Sequence, residues 1–115
     1  MAEQIAGNHD VVVGINETLS IGGDRRVDVG RNLSSSVQAN QIVGVGKDLA
    51  VKVGKNLRIS AADSLELVCG GASIVMKKDG TIIIKGKDIT VEGSGKVNVK
   101  ASGDVVLKGS KVSQN

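Results

Sequence analysis

Valine, isoleucine and leucine return every eighth residue along almost the whole chain. Stepping by eight from Val11 meets Leu19, Val27, Ser35, Val43, Val51, Ile59, Leu67, Val75, Ile83, Val91, Val99 and Leu107. Only Ser35 interrupts the apolar column. A second column two residues later holds Val13, Ile21, Val29, Val37, Val45 and Val53, and Gly14, Gly22, Gly30, Gly46 and Gly54 stand directly after it. A third, two residues before the first, holds Leu33, Leu49, Leu57, Leu65, Ile89, Val97 and Val105. The unit reads L-x-V-x-V-G-x-N/D, and residues 49–56 are its cleanest copy. Alternating apolar residues share one face of a β-strand, and β-branched side chains suit that pleated surface. Because eight is even, each strand re-enters with its apolar set on the same side. No helical period of 3.6 residues survives anywhere.

The turns are expected where glycine is followed, one residue on, by Asn or Asp. This places them at Gly14, Gly22, Gly30, Gly46, Gly54 and Gly86, since glycine tolerates positive φ and Asn or Asp bonds nearby backbone. Gly70-Gly71 and the Lys77-Lys78-Asp79-Gly80 segment add two further turns. The apolar set slips once. Near Gly70-Gly71 it moves to even positions, at Ile74, Met76, Ile82 and Ile84, and it returns to odd numbers at Ile89 and Val91. A one-residue slip turns a strand over unless a bend absorbs it, so a change of architecture is expected over residues 70–88. The expected inward set is Val11, Val13, Leu19, Ile21, Val27, Val29, Val43, Val45, Leu49, Val51, Val53, Leu57, Ile59, Leu65, Leu67, Cys69, Ile74, Met76, Ile82, Ile84, Ile89, Val91, Val97, Val99, Val105 and Leu107.

The chain has 115 residues with 16 glycines and no Phe, Trp, Tyr or Pro. A compact monomer normally fills part of its core with aromatic rings; here branched aliphatics must do all of it. Each octad supplies one strand and one tight turn, and its apolar face needs another face to meet. A flat meander would leave open edges and an uncovered apolar face. A closed barrel is less attractive without aromatics. Three identical chains, each giving one octad per layer, would close a triangular prism around a shared apolar axis. The expectation is an all-β, intertwined homotrimeric triple-stranded β-helix, one needle domain over residues 1–115, with residues 1–10 frayed.

Charge and chemistry-bearing residues are sparse. Fifteen basic and 12 acidic side chains give +3. They are spread evenly, with neither the clustered Lys/Arg nor the stacking rings that nucleic-acid binders use. Lys77, Lys78, Lys85, Lys87, Lys96, Lys100, Lys108 and Lys111 read as a solvated exterior. Cys69 reads as a small inward hydrophobe, because a reactive thiol needs an electropositive, accessible site. His9 falls in the Leu49/Leu57 phase, where three copies would converge, so a metal at the axis is one reading and a frayed terminus the other. Gly44-Val45-Gly46-Lys47-Asp48 fails as a phosphate loop, since Gln41 and Asp48 stand where Gly and Ser/Thr are required. No catalytic set and no cofactor site emerge; the chain is expected not to be an enzyme.

The octads, the segment Ala72-Ser73-Ile74-Val75-Met76-Lys77-Lys78-Asp79-Gly80-Thr81-Ile82, and Ile84-Lys85-Gly86-Lys87-Asp88-Ile89-Thr90-Val91 together resemble the C-terminal needle of the VgrG family. These are the spike proteins of bacterial type VI secretion, related to contractile phage tail spikes. The resemblance covers nearly the whole chain. It implies a trimeric β-helix that pierces a target-cell envelope, a PAAR-class cap on the C-terminal end, and effectors at the tip. It implies assembly in the bacterial cytoplasm followed by translocation. The family's N-terminal base, which docks on the Hcp tube, has no counterpart here, so the chain is expected to be a fragment. The last layer, around Val105, Leu107 and Val112, is the expected docking platform for the cap. A passive trimeric stalk of an adhesin or fibre, and a basic repeat protein binding polyanions, are the alternative readings.

Overall fold

The computed structural model describes residues 2–115. It is all-β, and among the described residues there is no helix. The chain falls into two units, Met1–Leu49 and Ala50–Asn115.

The first unit is extended chain punctuated by backbone bends at residues 6–7, 14–15, 22–23, 30–31, 38–39 and 46–47. The eight-residue period of the apolar pattern is therefore also the period of the backbone. Within each octad the valine or isoleucine before the bend is half covered by its own chain, as at Val13 (46% exposed), Ile21 (45%) and Val29 (45%), whereas the off-phase Val12 is 94% exposed. One octad thus has a sheltered and an open side even without a partner.

The second unit keeps the beat, with bends at 54–55, 62–63, 87–88, 94–95 and 102–103 and at residue 110. In its middle the turns at 70–71 and 78–79 fall on the same rhythm but reverse the chain. They link β1 (Ser64–Cys69), β2 (Ala72–Lys77) and β3 (Ile82–Lys85) into an antiparallel sheet of order β1-β2-β3. The sheet runs from Ser64 to Lys85 and so overlaps the 70–88 stretch in which the apolar pattern slips.

The bends themselves differ from the expected turn chemistry. Among the described residues only Gly70 (φ +54°) and Gly80 (φ +93°) have positive φ. Gly14, Gly22, Gly30, Gly46, Gly54, Gly71 and Gly86 do not, so left-handed backbone is not what places glycine there. The physical reason is that an octad bend only redirects the chain, whereas the two-residue and bulged three-residue hairpin turns at Gly70 and Gly80 each need one residue with φ above zero. The bends at Gln38-Ala39 and Ala62-Asp63 accordingly form with no glycine at all.

Candidate functional site: an uncovered apolar face

The β1–β2 turn has two residues, with Cys69 opposite Ala72. Positive φ at Gly70 and not at Gly71 is the φ pattern of a type II′ turn, whose twist matches that of the paired strands. A two-residue turn pairs odd-numbered residues with even-numbered ones. Leu65 faces Met76 and Leu67 faces Ile74. The slip in the sequence pattern is thus a hairpin, and it keeps the apolar set on one side.

The β2–β3 turn restores parity differently. Gly80 N–H donates to the Lys77 carbonyl at 3.0 Å, and Lys77 N–H donates to the Thr81 carbonyl at 3.0 Å. Gly80 then sits in the left-handed position, which is the three-residue hairpin with a bulge. Asp79 Oδ1 accepts from Thr81 N–H at 3.0 Å. That bond and the Thr81 hydroxyl hold the Asp79 carboxyl below its ordinary 3.8. Even now meets even: Met76 faces Ile82 and Ile74 faces Ile84.

Opposed residues on neighbouring strands share a face. One face of the sheet therefore carries Leu65, Leu67, Cys69, Ala72, Ile74, Met76, Ile82 and Ile84. The other carries Ser64, Glu66, Ser73, Lys77 and Lys85, together with Val68, Val75 and Ile83. An open hollow of about 500 Å³ lies against the apolar face, and its lining runs from Leu67, Cys69 and Ile74 through Ile84 to Ile89. A smaller one of about 230 Å³ touches Ile59, Leu65 and Met76. Odd-numbered apolar residues before and after the sheet thus adjoin the even-numbered ones within it.

None of this surface is buried, though Leu65 on the apolar face and Ser73, Val75 and Ile83 on the other are partly covered. No described residue is buried, and the total exposed surface is 12915 Å². A compact monomer of this mass would expose ~5,900 Å². At the far end of the chain Val105 (60%), Leu107 (74%) and Val112 (58%) are also open. Cys69 is exposed and sits on the apolar face opposite Ala72. His9 is exposed, and no group of three His, Cys, Asp or Glu side chains among the described residues is placed to hold a metal.

Sequence reasoning missed Gly93. A Cβ there would lie 2.9 Å from Val97 Cγ2 and 3.0 Å from the Lys96 carbonyl oxygen. The Gly93-Ser94-Gly95 cluster was the available signal. It also missed the Val75–Ile83 pair on the second face, legible in the unbroken runs Ile74-Val75-Met76 and Ile82-Ile83-Ile84.

No protein-family model matches the chain. It is 60% identical over 35 residues to the type VI secretion system spike protein VgrG1b of Pseudomonas aeruginosa. The match spans 30% of this chain and 5% of that protein's length. The chain therefore contains a VgrG-related segment within an all-β structure.

Proposed function

We propose that the chain is the needle portion of a type VI secretion spike, and that three copies braid into a β-helical prism with the octad columns along its axis. The observation that carries this reading is the repeating, sided apolar strip, none of which is buried. An exposed surface more than twice that of a compact monomer is relieved if other copies cover it. The segment similar to VgrG1b supports the type VI context. Threefold closure satisfies a strip that recurs every octad without leaving an open edge.

The role is mechanical rather than catalytic. The braid pierces a target-cell envelope after assembly in the bacterial cytoplasm and translocation. The spike's base joins it to the Hcp tube. Its C-terminal layer, at Val105, Leu107 and Val112, seats a PAAR-class cap. Light scattering with far-UV circular dichroism on one sample tests the braid. A β-rich particle of three 11.8-kDa chains is expected; a well-folded monomer would overturn it. Removing residues 105–115 should abolish cap binding and leave the trimer, and unchanged binding would remove the docking assignment. A trimer that never binds a cap would instead be a passive stalk.

A further inference from the structure

The octads share a weakness: a slide of eight residues lays Val11 where Leu19 was and Val43 where Val51 was, and through residues 6–63 it lays each bend on the next bend. Period-eight chains have many nearly equivalent alignments, and a weakly specified register slips. Copies that braid need something that counts.

Among the described residues, all main-chain hydrogen bonds fall within residues 63–85. Lys78 N–H reaches back to the Asp63 carbonyl at 3.0 Å, and the Lys78 ammonium lies 3.7 Å from the Asp63 carboxylate, so the first hairpin is tied at both ends. This is also the one stretch where the apolar face passes to even-numbered residues and where the chain reverses. Slid by one octad, it would set a reversed, hydrogen-bonded hairpin against plain extended chain.

We infer that the β1–β3 sheet is the register key of the assembly: it forms within each chain, its apolar face docks on the same sheet of the other copies, and it thereby selects one alignment of the octads. The occupant of that face is a second copy of this chain. The apolar face is continuous with the octad columns through Ile59 and Ile89, so one partner covers both. The inference rests on the braided reading above.

Chains of two lengths test it. One has the natural length; the other carries three further copies of residues 49–56 between Asn56 and Leu57. Both carry Cys69→Ala, and each is made with a single probe thiol, either Val27→Cys or Val99→Cys. The two lengths are unfolded together, refolded and oxidised, and mixed disulfides are weighed. If the sheet sets the register, mixed disulfides form at the Val99 position and not at Val27, where the extra octads displace the thiols by roughly 14 Å, beyond the ~7 Å Cα separation a disulfide spans. Mixed disulfides at Val27 instead, at both positions, or at neither in oligomeric samples overturn the inference. Light scattering on the natural-length chain separates the two failures, because a monomer there defeats the braid itself.

Discussion

Gly70 and Gly80 do what no other glycine of the described chain does: they hold the backbone at positive φ. A Cβ at Gly70 meets no steric obstacle, so the cost of Gly70→Ala is conformational, about 1–2 kcal/mol per chain. Thermal melting should show that loss, while Gly71→Ala, with ordinary φ, should show much less. Asp79 makes the second turn pH-sensitive. Its carboxyl titrates below 3.8 in the folded chain because Thr81 donates to the charged form. Its contribution is therefore present above the unfolded value of 3.8 and is lost as pH falls through the lower folded value. The protection factor of the Thr81 amide, its exchange rate taken relative to the intrinsic rate at each pH, should fall on acidification through that window, and Asp79→Asn, which keeps an acceptor without the charge, should flatten the response. Both turn residues were legible in the sequence as Gly-Gly and Lys-Asp-Gly. The ordinary φ of the octad glycines was not, because composition cannot distinguish a redirecting bend from a reversal.

At the scale of the element, the sheet's sidedness decides which substitutions matter. Ile74 lies on the central strand between Leu67 and Ile84. Ile74→Asp places a carboxylate on the face that the proposed braid would cover, and an unpaired charge buried there costs roughly several kcal/mol. Light scattering should find the assembly lost. Ser73→Asp, one residue away on the opposite face beside Lys85, should leave it intact. Gly93→Ala offers a second contrast, since its added methyl meets Val97 and the Lys96 carbonyl. Overpacking of that kind costs about 1–3 kcal/mol, to be read from the melting temperature. The even-numbered slip announced in the sequence that something happens near residue 70. That it is a pair of hairpins, one with a two-residue turn and one bulged, follows from hydrogen bonds that the period alone does not specify.

For the whole molecule the governing quantity is surface. Some 12915 Å² is exposed, and an alternating Val/Ile/Leu strip runs through both units. The proposed braid would gain its stability from association, so the melting temperature should rise with protein concentration. Dilution should unfold the octads before the sheet, which holds the chain's own main-chain bonds; hydrogen exchange resolved along the sequence would show residues 63–85 protected longest. Equal protection along the chain at every dilution would contradict that order.

The eight-residue rhythm and the all-β character could be read from the sequence, because a strand's side-chain period is two and eight preserves it. Tertiary structure alone decided how the slip at Gly70-Gly71 is absorbed, which glycines bear positive φ, and that the apolar face stays continuous from Ile59 through Ile74 to Ile89. The reason is that strand pairing is a non-local bond: Leu67 meets Ile74, and Ile74 meets Ile84, only after the chain has turned back on itself.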